Sequence, residues 1–314
     1  MNGMTETMLR ESAISFPFLG LTVDPPASFT LFGREIYFYG VIIALAFGAG
    51  IWYCTRKCAR AGLTEDDVYD VILWLIPAGI IGARLYFVLF RIDYYIARPG
   101  EIFALHEGGL AIYGGIIAGV IAAALTARHK KVPPLAVLDL LITACALGQA
   151  IGRWGNFMNR EAFGRETEIF CRMGLTTGAG ETVYVHPTFL YESLWDLAVF
   201  LVLNRVISKK YRYSGQCILL YCLLYGTGRA LIEGLRTDSL YIPGTGIRVS
   251  QLLSACLAAF GAVMLIVNRK KAVRAGADGV SADCDGTAAD ADCNDAAADT
   301  DRNDADTDTD GGKK

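Results

Sequence analysis

Apolar stretches of about twenty residues recur along this chain, at roughly 36–54, 68–90, 109–127, 133–152, 188–207, 216–236 and 249–268. A helix rises ~1.5 Å per residue, so ~20 residues cross a ~30 Å hydrocarbon core. The chain is 53% hydrophobic over 314 residues, with a mean hydropathy of +0.36. A soluble domain with seven such stretches would keep little polar surface. The fold class expected is an all-α integral membrane protein with seven transmembrane helices.

Orientation follows from lysine. Lys57 lies after the first stretch, Lys130 and Lys131 after the third, Lys209 and Lys210 after the fifth, and Lys270 and Lys271 after the seventh. The N-terminal arm and the connections after stretches two, four and six have none. The positive-inside rule then places the N-terminus outside and the C-terminus in the cytoplasm.

Three segments are expected. Residues 1–34 form an N-terminal extension with an interfacial arm, and lack the basic, apolar and small-residue order of a cleaved signal. Residues 35–271 form the seven-span domain, with a small extracytoplasmic head at about 155–187. Residues 272–314 read as a disordered acidic tail. From Asp278 onward twelve Asp face only Arg302, Lys313 and Lys314, with no apolar periodicity.

The nine cysteines imply neither a disulfide framework nor a zinc site. Four lie in apolar stretches, where Cys acts as a small hydrophobe. Cys54 and Cys58 have no third ligand nearby.

The charges inside the apolar stretches are more informative. Arg153 sits at the outer end of the fourth stretch and Arg84 in the outer part of the second. Glu192 and Asp196 occupy the outer half of the fifth, and Arg229, Glu233 and Arg236 the outer end of the sixth. An ionisable group at membrane depth costs at least a few kcal/mol and normally faces a polar interior. Several at one depth argue for a shared cavity open to the outside. Tyr225, Arg229, Glu233 and Arg236 are spaced by four, four and three, which sets them on one helical face. A surface Arg–Glu pair on a helix is worth only ~0.2–0.5 kcal/mol, too little to justify charge in lipid. The cations are arginines, whose planar fork matches phosphate, so an anionic phospholipid headgroup is the expected guest. The glycines of "GGLAIYGGIIAG" (Gly108 to Gly119) are read mainly as helix-packing residues.

Transporters and channels also carry intramembrane charge. Here the charges cluster on one side only, with no polar path to the other and no internal repeat. A membrane serine protease would need a nucleophile elbow or its equivalent, and none is visible. A lipid-binding protein would share the cavity without turnover.

The segment "GRWGNFMNREAFGR" (Gly152–Arg165) resembles the signature of the prolipoprotein diacylglyceryl transferases of bacterial inner membranes. "HPTFLYE" (His186–Glu192), "YGTGRALIEGLR" (Tyr225–Arg236), "GARLYFV" and the first-stretch "IYFYG" (Ile36–Gly40) are similar to that family's other motifs, in order, over about residues 25–270. Two positions depart from it. Many members carry His where Tyr113 stands and others carry Tyr, so a histidine base at that position does not apply here. Phe189 replaces a usual Gln.

The resemblance implies a transferase. It would move the diacylglyceryl group of phosphatidylglycerol to the lipobox cysteine of a prolipoprotein, forming a thioether and releasing glycerol phosphate. The implied partners are that lipid, the prolipoprotein signal peptide and the bilayer, with no nucleic acid. No cofactor and no metal is implied. The implied location is the bacterial inner membrane, with the site facing outward. Arg153 and Arg229 are expected to hold the phosphate and leaving group, with Glu233 orienting Arg229 and Glu192 bracing another arginine. Tyr113 is the remaining catalytic candidate. Tyr39, Arg84, Asn156, Asn159, Glu161, Gly164, His186, Tyr225 and Arg236, together with Glu192, are expected to bind substrate. Tyr113, Tyr225, His186 and Glu161 all stand as candidates for the general base.

Overall fold

A computed structural model describes residues 13–104, 108–176, 180–237, 241–242, 244 and 246–282, with side chains as far as residue 268. Seven long helices follow one another: α1 (Phe38–Lys57), α2 (Glu65–Leu89), α3 (Ile112–His129), α4 (Pro134–Met158), α5 (Thr188–Arg205), α6 (Gln216–Glu233) and α7 (Val249–Ala282). α7 runs past the start of the segment read as tail, where Ala272, Val273 and Ala275 continue a helix-compatible sequence. Residues 283–314, like His106 and Thr177, lie outside the described residues.

The protein is mostly helical. Five helices are long and apolar enough to cross a membrane: α1 with its following turn to Ala61, α2, α3, α4, and α7 to Asn268. α5 and α6 fall below that threshold because they carry the charges singled out above: Glu192 and Asp196 on one, Arg229 and Glu233 on the other.

Local chemistry explains the helix starts. Thr64 caps α2 in a reciprocal box, accepting from the Asp67 backbone N–H while the Asp67 carboxylate accepts from that of Thr64. Glu65, Asp66 and Asp67 add negative charge at the positive end of the helix dipole. Pro134 opens α4, where its missing N–H costs nothing.

Glycine sets how closely the helices approach. A Cβ on Gly82 of α2 would lie 2.2 Å from the Ala118 methyl and 2.7 Å from the Gly114 carbonyl on α3. That answers the question raised by the paired glycines: Gly114 is a packing residue. Gly226 of α6 and Gly261 of α7 make the same kind of contact, meeting backbone at 2.6–2.9 Å.

Two small sheets join the helices. The hairpin β3 (Ser28–Leu31) and β4 (Arg34–Tyr37) leads directly into α1. Its two-residue turn, Phe32-Gly33, has positive φ at both positions, as a type I′ turn requires. A four-stranded sheet has the order β2-β1-β5-β6, all antiparallel. β1 (Ala13–Phe16) and β2 (Leu21–Val23) come from the N-terminal arm, whereas β5 (Met173–Thr176) and β6 (Thr182–Val185) come from the head.

The head is therefore built from two distant pieces of chain rather than from residues 155–187 alone. The reason is a small core: Ile14 of the arm is fully buried with Leu175, Met173, Val185, Phe163 and Phe189. Phe189 extends that core onto α4, with its ring 4.9 Å from Phe157 and 5.6 Å from Trp154. This accounts for an aromatic at a position where the family usually has Gln.

The opposite end carries the lysines. Lys130 pairs with Asp70 at 2.6 Å and approaches Asp67 at 3.7 Å. Lys57 donates to Ser208 at 3.0 Å. Asp139 is fully buried there as an interhelical cap. It accepts from the backbone N–H groups of Gly215 (2.5 Å) and Ile218 (2.9 Å) at the start of α6, and from the Tyr211 hydroxyl (2.8 Å).

Candidate active site

The charges that looked misplaced in the sequence meet at the far ends of α4, α5 and α6, away from the lysines. Glu192, on the first turns of α5, is the hub. Its Oε1 accepts from Arg229 Nη1 and lies 3.4 Å from Arg236 Nη1. Its Oε2 lies 2.7 Å from Arg153 Nε. Three arginines from two helices and the segment after α6 thus converge on one carboxylate. Arg229 also reaches the Glu233 carboxylate at 2.6 Å, one turn further along α6. The i, i+4 spacing is thereby realised as a buried pair rather than a surface one.

Each arginine keeps a defined share of its donors. Arg153 faces Glu192 and, at 4.0 Å, Asp196 through Nε. Neither of its terminal amino groups has a partner among the described residues. Its side chain and that of Arg229 are the most open of the cluster, at 19% and 18%, while Glu192, Asp196 and Glu233 are at 5% or less. The carboxylates are sealed and the arginine tips reach outward.

Two members were not singled out as site residues from the sequence. Asp196 lies one turn deeper than Glu192 and is a second counter-charge for Arg153. Arg248, at the start of α7, is buried and donates to the Glu233 carbonyl and, at 3.2 Å, to the Tyr241 hydroxyl. Only its place in a polar connection hid it, since no periodicity marks a loop arginine. With it, four arginines stand against three carboxylates, so the ionised cluster has an excess of one positive charge. A phosphodiester carries one negative charge.

The signature after Arg153 forms a tight turn. The Asn156 amide donates to Glu161 Oε1 at 2.9 Å, with Asn159 at 3.4 Å. Arg160 and Ala162 take positive φ of 50° and 57°, a costly conformation for non-glycine residues. Arg160 is held there by Asp24 at 2.5 Å and by the Pro25 carbonyl at 2.8 Å, so the N-terminal arm clamps the turn. Gly164 bridges to Arg236, and a Cβ there would meet His186 Cβ at 2.6 Å. Gly155 lies under the Tyr39 ring, where a Cβ would come within 2.8 Å.

His186 presents its backbone to Gly164 and Arg165. Its Nδ1 is buried without a hydrogen-bond partner among the described residues, and burial pushes its pKa below the ordinary 6.5. Tyr225 stacks on Tyr221 at 4.9 Å, one turn below Arg229. Tyr113 is exposed at the start of α3.

Arg84 is placed differently from the others. It is buried and donates to the carbonyls of Glu101 (2.6 Å), Ile102 (2.8 Å), Gly108 (2.7 Å) and Gly109 (3.1 Å). It fastens the connection that leads to Tyr113 and does not join the arginine cluster. A guanidinium has five N–H donors, and four of these bonds already go to that connection.

The model of one family, described as prolipoprotein diacylglyceryl transferase, matches residues 26–267. A protein of Finegoldia magna named phosphatidylglycerol–prolipoprotein diacylglyceryl transferase is 42% identical over 247 residues, covering 79% of this chain and 97% of that protein. Proteins of the same name from Enterococcus faecalis and Clostridioides difficile are 43% and 42% identical. They cover 77% and 72% of this chain, and 90% and 88% of their own lengths.

Proposed function

Because the chain belongs to the prolipoprotein diacylglyceryl transferase family, we propose that the Arg153–Glu192–Arg229 cluster is the seat of that transfer from phosphatidylglycerol to a prolipoprotein. One observation carries the reading. Two arginines from different helices already share the two oxygens of one carboxylate. Guanidinium donors from two helices thus already converge on one oxyanion, and arginine is equally suited to holding phosphate.

The acceptor is the lipobox cysteine. Its thiol loses a proton, and the thiolate attacks the glycerol carbon that bears the phosphate. The new S–C bond forms as the C–O bond breaks, and glycerol phosphate departs with the bonding electrons. The free Arg153 amino groups and Arg229 face the charge that grows on the leaving oxygen, in a site shielded from water. Glu192 and Glu233 fix those guanidinium planes beforehand. Asn156, Asn159 and Glu161 position the headgroup, with Tyr39 and Gly164 shaping its seat. Among the candidates for the proton, His186 enters neutral, while Glu161 is already engaged by two amides. Tyr225, one turn before Arg229 on α6, and Tyr113, exposed at the start of α3, offer hydroxyls.

Seven spans with the N-terminus outside complete the proposal. The lysines gather at one end of the bundle and the arginine cluster and head at the other, which supports the outward-facing site. Purified protein in phosphatidylglycerol micelles should attach a diacylglyceryl group to the cysteine of a lipobox peptide. Absence of any thioether product would refute the activity. In a cysteine-free background, Glu168→Cys should react with an impermeant thiol reagent in intact cells and Arg60→Cys only after lysis. The reverse pattern would overturn the orientation.

A further inference from the structure

One helical turn beneath the arginines lies a second polar layer that headgroup binding leaves unused. Gln149 precedes Arg153 by four residues on α4, and Tyr225 precedes Arg229 by four on α6. Each is thus set ~6 Å deeper along its helix. The Tyr221 hydroxyl donates to Gln149 Oε1 at 2.8 Å, and the Tyr221 ring stacks on Tyr225 with planes 8° apart. With its oxygen engaged, the Gln149 amide has two N–H donors to offer, and they have no partner among the described residues. Asp196 at this depth is turned toward Arg153, with Oδ2 buried. Gln149 is partly exposed rather than sealed between the helices, so its donors are open to a ligand that supplies an acceptor.

The lipid does supply one. In a diacyl glycerophospholipid the ester carbonyls sit a few bonds from phosphorus, on the side of the chains. They are acceptors only, which suits a donor. Resting on the phosphate-site reading above, we propose that Gln149, oriented by Tyr221, donates to an acyl-ester carbonyl and makes the enzyme selective for ester-linked over ether-linked phosphatidylglycerol. An ether lipid of the same chain length keeps the phosphate and the reacting carbon but offers no carbonyl, so the amide would stay unpaired. A site built to hydrogen-bond a substrate group discriminates strongly against the analogue lacking it.

The test compares diester phosphatidylglycerol with its dialkyl ether analogue as donors to a saturating lipobox peptide. Wild-type enzyme should show a KM for the diester lower by on the order of tenfold. Gln149→Met, similar in length but without donors, should raise the diester KM to that of the ether and leave the ether KM and the peptide KM in place. Tyr221→Phe should fall between. Equal use of both donors by the wild type refutes the proposal independently of any variant. So does a Gln149→Met enzyme that slows on both donors alike, or one that raises the peptide KM, which would give the amide to the signal peptide. If the wild type forms no product from the diester, the transferase reading fails. If it forms product without discriminating, only the ester reading fails.

Discussion

Replacing Arg153 by lysine tests the site where its geometry is most specific. Arg153 faces Glu192 with Nε at 2.7 Å, and its terminal amino groups have no partner among the described residues. A lysine ammonium is a single point on a flexible stem. It can stay on Glu192 or reach the phosphate, but it cannot hold both in one plane. Two charge-assisted hydrogen bonds to the departing phosphate are then lost. Each is worth ~1.5–3 kcal/mol when well shielded. The side chain is about one-fifth exposed, so the lower half of that range applies, giving roughly 3–4 kcal/mol in all. At ~1.4 kcal/mol per decade this is a loss of roughly 10²–10³ in kcat/KM. The measurement is thioether formation on a lipobox peptide, with melting followed in the same detergent. The ammonium can still neutralise Glu192, so the melting temperature should move by only a few degrees. Arg229→Lys should behave similarly. Since both arginines face one anion, the double variant should lose much less than the product of the single losses. Near-native turnover in either lysine variant, or strictly multiplicative losses, would refute a shared phosphate site.

Gly155→Ala inserts a methyl within 2.8 Å of the Tyr39 ring. Overpacking of ~1–3 kcal/mol should lower the melting temperature and activity, a second substitution that removes the ring, Tyr39→Ala, should recover the stability, and a fully stable, fully active Gly155→Ala enzyme would refute the close approach. His186 is held neutral by burial, with its pKa below 6.5. Its unfolded form therefore binds a proton first, and the stability of the native protein falls as pH drops below about 6.5. His186→Gln should flatten that part of the melting-temperature profile, and an unchanged profile would count against a buried neutral imidazole. Tyr113→His should retain much of the activity. Tyr113→Phe isolates the hydroxyl, where a loss of ~10²–10⁴ marks an acid–base group and no loss removes Tyr113 from the candidates.

The helices were legible because hydrophobic runs of membrane length leave few alternatives. The convergence of Arg153, Glu192 and Arg229 was legible because charge at membrane depth needs partners, and the i, i+4 spacing in α6 named the face. What escaped the reading was long-range. Ile14 pairs with Leu175 across about half the length of the chain, and strands of three or four residues carry too few alternations to announce themselves. Arg84 had the same sequence credentials as Arg153, an arginine near the end of an apolar stretch. Only the returning connection, with its four carbonyls, separates a fastener from a ligand-facing cation. Arg248 was silent because nothing periodic surrounds it.

The ion pairs around Glu192 also bear on how the protein enters the bilayer. In the proposed seven-span arrangement α5 and α6 are the two helices that length and composition alone do not mark as apolar enough to cross a membrane. Glu192 and Asp196 on one are answered by Arg229 on the other and by Arg153 on α4. At the lysine end, Asp139 of α4 waits for backbone donors at the start of α6. α4 thus contacts both helices of the α5–α6 hairpin, and within the bundle their charges are paired rather than isolated. Chains truncated before α6 would leave Asp139 without its backbone donors and Glu192 without Arg229, and should be substrates for membrane quality control. The contacts proposed to prepare the site for a lipid anion are thus the same ones that pair the charges of its two most polar helices.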